Sequence, residues 1–332
     1  MNYRPWGLLP WLLTRGPNVK WSILACLSAE ERCLATWHTV SRLDSLNSTR
    51  LTRIDNPPSR FTKRMRQKLS VRKAQFLSQG GDESAIHDYF LFARVGEIMD
   101  MVENFIESSG PDMIVDITCF PKRFFFPIIK LLLRENERVR NLIVTYAIPN
   151  SYPTDPLAEN FLEWRSLPLF GGTAINFQPE ILVINVGYLA MGLPDEIEHI
   201  GGDVSVKLIF PFPAGPQSFQ KTWNFVRIIE KNLRPYSMDL WNVDANDMAD
   251  AFDHLMAITE KGHRPAVLAP YGPKPISLAM CIFAGLTSSP VFYTQPRTYN
   301  PDYSVGVREV DGFPEVYGYY LRLNGQNLYS IP

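Results

Sequence analysis

The chain has 332 residues, a formal net charge of −1, 45% hydrophobic residues and 12% aromatic residues. These proportions exclude a disordered chain and predict a globular protein with a substantial core. Its first apolar stretch, Trp6 to Leu13, is too short to cross a membrane, and its four cysteines include no CxxC pair. No charged n-region followed by a long apolar h-region opens the sequence, so we expect no secretory leader. We therefore expect a cytoplasmic protein that does not insert into membranes.

The first part of the chain predicts strands that alternate with helices. Residues 20–27 form an apolar strand, and Ser28 with Glu31 fits a capping box at the start of the next helix. A helical pattern then covers 84–108 and ends at Gly110-Pro111. It is followed by a strand at 113–117, a helix at 121–134, a strand at 141–147 and a proline-rich connection to residue 179.

The second part repeats this rhythm. Strands are predicted at 181–187, 204–210, 238–243, 266–269 and 290–294, and helices at 192–199, 217–232, 245–261 and 275–286. Continuously apolar strands alternating with helices are typical of a parallel sheet that is covered on both faces. We therefore predict one α/β domain over residues 1–332, with a doubly wound, mostly parallel Rossmann-like sheet.

Two segments depart from this rhythm. Residues 47–83 are predicted to be a basic insertion, a loop or short helix able to contact nucleic acid or an acidic partner, unless it is only a solvated segment. Its candidate contact residues are Arg60, Lys63, Arg64, Arg66, Lys68, Arg72 and Lys73. Residues 296–332 are predicted to be a loop followed by an antiparallel hairpin that turns at Asn324-Gly325.

Candidate ligand residues follow the predicted strands, because open parallel sheets bind ligands beyond the carboxyl ends of their strands. Lys274 lies between Pro273 and Pro275 at a helix start, where outward N–H groups and the helix dipole favour an anion. Asp116 suits either a ribose or ammonium group or the capping of a turn. The full set is Ser28, Glu31, Arg32, Asp116, Thr118, Lys122, Arg123, Tyr271, Gly272, Lys274, Ser277 and Arg297.

Other kinds of site find little support. The five histidines show no zinc-type spacing, and no GxSxG, GxxxxGK[ST] or GxGxxG motif occurs. We therefore predict no metal and name no cofactor. A Mg²⁺ nuclease built from Asp116, Glu30 or Asp244 is kept as a less favoured alternative.

The stretches "YGPKPISLAM" and "DITCFPKR" resemble loops of CRISPR-associated Rossmann-fold sensor domains. The resemblance implies a protein of bacterial antiviral defence that binds an oligonucleotide signal, commonly as a homodimer. It also implies that Gly272, Lys274 and Ser277 face the ligand phosphates, with Thr118 and Lys122 on the neighbouring loop. Pro273 stands where a small hydroxyl residue is common, and no effector nuclease segment is evident. These departures are compatible with a subunit of a defence system whose partner chain supplies the chemistry.

Three functions follow from these patterns. The first is a sensor subunit of an anti-phage defence complex that binds a nucleotide-like or other phosphate ligand. The second is an enzyme acting on nucleotides or nucleic acid, with Asp116 or Glu30 as the acid/base. The third is a structural subunit that holds a partner protein or nucleic acid through the basic segment.

Overall fold

The computed structural model describes residues 3–153, 155–172, 178–193, 204–212, 216–232 and 238–331, with 216–218 and 232 described by their backbone alone. The strands are β1 Trp6–Leu8, β2 Trp21–Leu27, β3 Leu46–Asp55, β4 Ile86–Phe90, β5 Asp112–Asp116, β6 Asn141–Ala147, β7 Ala158–Ser166, β8 Ile181–Asn185, β9 Ser205–Pro211, β10 Met238–Val243, β11 Ala266–Pro270, β12 Phe292–Tyr299, β13 Glu309–Val310, β14 Phe313–Pro314, β15 Val316–Leu323 and β16 Gln326–Asn327. The α-helices are α1 Leu9–Arg15, α2 Ala35–Arg42, α3 Thr62–Ser78, α4 Val95–Ser108, α5 Lys122–Arg134, α6 Pro216–Asn232, α7 Met248–Ile258 and α8 Lys274–Thr287. Short 3₁₀ turns cover Glu31–Leu34 and Glu83–Ala85.

The chain forms two compact units, each with its own α/β sheet. Unit 1 comprises Met1–Asn160 and Pro296–Leu328, and unit 2 comprises Phe161–Gln295 and Tyr329–Pro332. The sequence predicted one domain with one continuous sheet. The strand-helix rhythm is the same in both halves, so it does not show where one sheet stops and the next begins.

The sheet of unit 1 has the order β1-β15-β6-β5-β2-β3-β4, with β16 on β15. Strands β6, β5, β2, β3 and β4 are parallel, whereas β15 is antiparallel to β6 and β1 is antiparallel to β15. In chain order, the parallel strands have the 3-2-1-4-5 order of a Rossmann fold. Because β15 occupies the outer edge of β6, no further parallel strand can be added there.

Unit 2 repeats the same winding on a smaller scale. Its parallel sheet has the order β10-β9-β8-β11, which in chain order is 3-2-1-4. Strands β7 and β12, in which the chain passes between the units, form a separate two-stranded pair. The predicted fold class, a mostly parallel Rossmann-like α/β protein with a C-terminal antiparallel hairpin, is confirmed.

The core of unit 1 follows from the alternation of side chains along β2. Trp21, Ile23, Ala25 and Leu27 point to one face and join an apolar cluster that includes residues of α1, α2 and α3. On α2 and α3, the rings of Trp37 and Phe76 pack edge to face with centroids 4.9 Å apart. Helices α4 and α5 pack against each other and bury phenylalanine side chains of their own. The sheet is therefore covered by helices, as its apolar strands require.

Several predicted elements differ from the observed ones. The predicted insertion 47–83 contains β3, a ten-residue strand of the sheet, and the seventeen-residue helix α3. The predicted helix 84–108 begins only at Val95, because Ile86–Phe90 form edge strand β4. No capping box forms at Ser28, since the turn that starts at Glu31 has Glu30 as its N-cap without a side-chain cap. The predicted helix 192–199 lies, apart from its first two residues, outside the described residues.

The predicted C-terminal hairpin is confirmed. Strands β15 and β16 pair antiparallel across Asn324-Gly325, and both turn residues have positive φ, 49° and 80°. Positive φ at both central residues is characteristic of a type I′ turn, whose twist matches that of the two strands it connects. Among the described residues, no helix is long and apolar enough to cross a membrane.

Arg322 on β15 fixes the end of α5. Its guanidinium is fully buried, and each of its five N–H groups donates to an oxygen of unit 1. The acceptors are Oδ1 of Asn327 at 2.8 Å, the carbonyls of Glu135 at 2.7 Å, Val139 at 3.0 Å and Leu133 at 2.7 Å, and Oδ1 of Asn136 at 2.7 Å. A cation there also complements the negative end of the helix dipole.

We expect Arg322→Met to lower the free energy of opening of α5 and β15 by about 3 kcal/mol, since several buried acceptors lose a charged donor. Native-state hydrogen exchange of peptides from the two elements measures this local free energy. Arg66→Met, at an exposed position of α3, is the control and should leave exchange unchanged. Wild-type exchange rates in Arg322→Met would contradict the assignment.

Candidate functional site

The strand order places two loops beside each other in unit 1. Strands β2 and β5 are parallel neighbours, with Ile23 opposite Ile114, although β3 and β4 lie between them in the chain. The order of the sheet reverses between these two strands. In an open parallel sheet, the crevice beyond the carboxyl ends at such a reversal is the usual ligand site. We name this region, formed by residues 28–32 and 116–123, the unit 1 crevice.

The loop after β2 is held by a buried ion pair. Arg32 is only 1% exposed and contacts Glu30, with 2.9 Å between Nη2 and Oε2. Its Nη1 donates to the hydroxyl of Tyr146 at 3.1 Å and to the carbonyl of Ala147 at 3.0 Å. Burial acts to lower the pKa of Arg32, but Glu30 and the nearby tyrosines raise it well above its ordinary value. Arg32 therefore joins the loop to the end of β6, and its predicted ligand contact remains a prediction.

The other predicted residues of this loop also have internal partners. Ser28 Oγ accepts the Glu30 N–H at 3.3 Å, and Cys33 Sγ lies 3.5 Å from the Ser28 carbonyl. Burial raises the pKa of the Cys33 thiol to about 12, so this thiol is neutral at physiological pH. Glu31 is exposed and lies 3.7 Å from Arg72 of α3.

The turn after β5 is fixed by Asp116 and Thr118, both of which are buried. Oδ1 of Asp116 accepts the Thr118 N–H at 2.8 Å, so the carboxylate caps the turn. Oγ1 of Thr118 accepts the Ala147 N–H at 2.8 Å, which ties the turn to the end of β6. The hydroxyl of Thr118 therefore has a structural role, and its contact with a ligand remains a prediction.

Helix α5 begins at the unit 1 crevice with two basic residues. Lys122, its first residue, is 9% exposed, and Arg123 is half-buried beside the loop that follows β4. Arg123 Nη2 donates to the Ala93 carbonyl at 2.8 Å, and the guanidinium carbon lies 6.0 Å from the centre of the Phe92 ring. Burial lowers the pKa of Arg123. Among the described residues no carboxylate pairs with Arg123.

The loop after β12 lies against the same end of the sheet. Ser304 Oγ donates to Oε2 of Glu30, which also receives the Arg32 ion pair. Burial raises the pKa of Tyr303, and the adjacent Glu30 carboxylate raises it further. The hydroxyls of Tyr146 and Tyr152 are 3.0 Å apart. A cluster of tyrosine, glutamate and arginine groups therefore adjoins the unit 1 crevice.

The basic residues at α3 mostly face acids of the same unit. Asp302 receives both Arg64 and Lys68, Arg60 pairs with Glu159, and Lys73 pairs with Glu83. With the Arg72–Glu31 pair, five of the seven predicted contact residues have such partners. Lys63 and Arg66 are exposed and form no ion pair among the described residues. The helix thus braces the loop after β12, and a nucleic-acid or partner role remains a prediction.

Unit 2 has its own strand-order reversal, between β8 and β11. Asn185, at the end of β8, is buried and donates to the Pro273 carbonyl at 3.1 Å and to Ser277 Oγ at 3.2 Å. Ser277 Oγ also donates to the Pro273 carbonyl at 3.0 Å. The Ser277 hydroxyl therefore closes the first turn of α8, and its contact with a phosphate remains a prediction.

Gly272, one of the predicted ligand residues, lies where two loops of unit 2 pack closely. A Cβ at this position would overlap Oδ1 of Asn185 and the carbonyl of Val186, and a Cβ at Gly187 would overlap the Tyr271 carbonyl. The two glycines let the loops after β8 and β11 pack backbone against backbone.

The side chains of the remaining predicted residues, Tyr271, Lys274 and Arg297, have different surroundings. Tyr271 is buried, and its hydroxyl is 2.6 Å from Thr294 Oγ1. Lys274 is the first residue of α8 and is partly exposed. Arg297 is an exposed residue of β12 within unit 1. Lys122 and Lys274 therefore follow two separate sheets, and the single common crevice predicted from one sheet becomes two strand-order reversals.

Sequence reasoning missed the residues that hold these loops together. Tyr146, Tyr152, Ser304 and Asn185 carry no motif, and their partners are distant in the chain. Asn185 alone gave a signal, as a polar residue inside the apolar run "ILVINVG". The described residues hold no group of three or more His, Cys, Asp or Glu placed to bind a metal.

No family model and no curated protein matches the chain. Among solved structures, a functionally unknown protein from Pseudomonas aeruginosa PAO1 is similar at 12% identity, over 83% of this chain and 92% of that one, with a TM-score of 0.26. A ketoreductase domain from the bacillaene assembly line is similar at 12% identity, over 81% of this chain and 61% of that one, with a TM-score of 0.20. The strand orders, not these resemblances, place the two crevices.

We expect Gly272→Ala to destabilise unit 2 by about 2 kcal/mol, because the added methyl group must displace buried backbone. Gly285→Ala is the matched control. Gly285 lies inside α8, a Cβ there meets nothing within 4 Å, and alanine should stabilise the helix by about 0.5–1 kcal/mol. Urea unfolding monitored by hydrogen exchange of β8 and α8 peptides compares the two. Equal stability of both variants would contradict the packing argument.

Proposed function

We propose that unit 1 is a binding module for a phosphate-bearing, nucleotide-like ligand, which it holds at the unit 1 crevice. The single observation that carries this proposal is the strand order, in which β2 and β5 are neighbours at the reversal point. Ligands of doubly wound sheets bind beyond the carboxyl ends of such strands.

The chemistry at the start of α5 favours a negative ligand. The N-terminus of a helix presents free N–H groups and a partial positive charge. Arg123 adds a planar guanidinium suited to phosphate, and Lys122 adds a second charge next to it. Arg32, Asp116 and Thr118 contribute by fixing the two loops, since a binding site requires that its supporting side chains be held in place.

The ligand contacts that this proposal assigns are fewer than those predicted from the sequence. Lys122 and Arg123 are the proposed phosphate contacts in unit 1. Lys274 lies in unit 2 and is not required by the proposal. A role in antiviral defence remains a prediction that rests on the stretches "DITCFPKR" and "YGPKPISLAM".

We expect Arg123→Gln to weaken binding of AMP and ATP by about tenfold or more, because one charge-assisted phosphate contact is lost. Isothermal titration calorimetry with wild type and variant measures the affinity. Weakening should be larger at low ionic strength, since a phosphate contact at the protein surface is screened by salt.

Arg94→Gln is the matched control for this experiment. Arg94 is the exposed N-cap residue of α4 in the same unit and pairs with Glu97. Its replacement should leave nucleotide affinity unchanged. Nucleotide binding that is unaffected by Arg123→Gln but lost in Lys274→Ala would overturn the assignment to unit 1 and place the ligand in unit 2.

A further inference from the structure

A cavity of about 430 Å³ surrounds the amino end of β3 in unit 1. It is lined by residues 46–50 of β3, the ends of α3 and α4, and the turn that leads into β4. β4 pairs with β3 only from Leu51 onward, so residues 46–50 extend beyond it. The cavity is therefore at the opposite end of the strands from the unit 1 crevice, and its volume is that of a small-molecule site.

The strand wall of this cavity is held in a fixed conformation. Ser22 Oγ is a buried centre that receives hydrogen bonds from Asn47 Nδ2 at 3.0 Å, Ser48 Oγ at 2.9 Å and the Gly110 N–H at 3.2 Å. These bonds fix the irregular register between β2 and β3 at Trp21 and Ser22. A preformed wall reduces the ordering cost of binding.

The apolar wall comes from three helices. Trp37 of α2, Phe76 of α3 and Phe105 of α4 all line the cavity. Their rings are largely or wholly buried, and Trp37 packs edge to face on Phe76. Aromatic walls of this kind contact the flat or aliphatic body of a ligand.

The cavity lining contains one arginine, one histidine and one acid. The side chain of Arg50 forms no ion pair or hydrogen bond within the described part of the chain, and its Nε is buried without an acceptor. Burial lowers the pKa of His87, and the nearby Arg50 lowers it further. Asp82 is the only acid in the lining, and its carboxylate already accepts the Ser84 N–H at 2.9 Å. A buried guanidinium nitrogen without an acceptor is costly unless a ligand supplies one.

We propose that this cavity binds a small organic anion, with its apolar body against Trp37 and Phe105 and its carboxylate or phosphate group on Arg50. Ser109 supplies a further polar contact, since its hydroxyl is buried and has no hydrogen-bond partner among the described residues. The site is independent of the unit 1 crevice, so either ligand can bind without the other.

Three one-ring probes test the class of ligand. Phenyl phosphate and benzoate carry an anionic group, and benzylamine carries a cationic one. We expect the two anions to bind, as measured by NMR titration, and benzylamine not to bind. Intermolecular Overhauser effects should connect the phenyl protons of bound benzoate or phenyl phosphate to the indole of Trp37. Equal binding of benzylamine, or bound anions without contacts to Trp37, would overturn the proposal.

Arg50→Gln should weaken the binding of both anions by about tenfold or more, and Arg50→Lys should retain part of the affinity. Arg53→Gln is the matched control, because Arg53 lies on the same strand, outside the cavity lining, and pairs with Asp88 at 2.6 Å. Circular dichroism verifies that each variant is folded. Unchanged affinity in folded Arg50→Gln would refute the site, whereas unchanged affinity in Arg123→Gln would separate it from the unit 1 crevice.

Discussion

The parallel pairing of β2 with β5 is the constraint on which the arrangement of unit 1 depends. Two strands that are almost ninety residues apart in the chain lie side by side, and the two strands between them in the chain, β3 and β4, lie beyond β2 on the other side. The loops after both strands consequently open at one edge of the sheet. The same winding recurs in unit 2 between β8 and β11. Each unit therefore has one strand-order reversal at which its loops separate, and the position of this reversal depends on the strand order alone.

Hydrogen bonds and ion pairs between side chains then determine how much of the space between these loops is open to a ligand. In unit 1, Arg32, Glu30 and Tyr146 connect the loop after β2 to the end of β6. In unit 2, Asn185 connects the end of β8 to the start of α8 by donating to the Pro273 carbonyl and to Ser277 Oγ. Several polar groups that look like ligand contacts in the sequence, such as Arg32, Thr118 and Ser277, have partners within their own unit. A buried polar group must find such a partner, so these networks are required for the loops to be ordered at all.

The sequence was most informative where a strand is buried on both faces. β2, β5 and β6 and helix α5 follow continuously apolar runs with clear ends, and all four were predicted within a residue or two. β3 was missed because "LNSTRLTRID" is polar, and its basic residues indicated a solvated insertion. β4 was missed because Ile86 and Phe90 also fit helical spacing. Short amphipathic edge strands give a weak local signal, since the neighbouring strand supplies much of their stability.

The candidate sites were predictable only in outline. Residues that follow strands could be found from the pattern, and the motifs around Lys122 and Lys274 were found in this way. The sequence did not show that these two motifs belong to two different sheets. The parallel part of the first sheet ends at β6 because β15 pairs with its outer edge, and β15 lies about 170 residues after β6 in the chain. The structural roles of Thr118 and Ser277 likewise depend on contacts with Ala147 and Asn185, which are distant in the chain.

The position of β15 also bears on how the protein is made. On the ribosome, β6 emerges long before residues 316–323, and the whole of Phe161–Gln295 is synthesised in between. The nascent chain can thus fold its inserted unit first, while the edge of β6 still lacks its neighbour. Uncovered strand edges are sites of intermolecular pairing. The edge of β6 therefore becomes protected only after β15 has been synthesised and has paired with it.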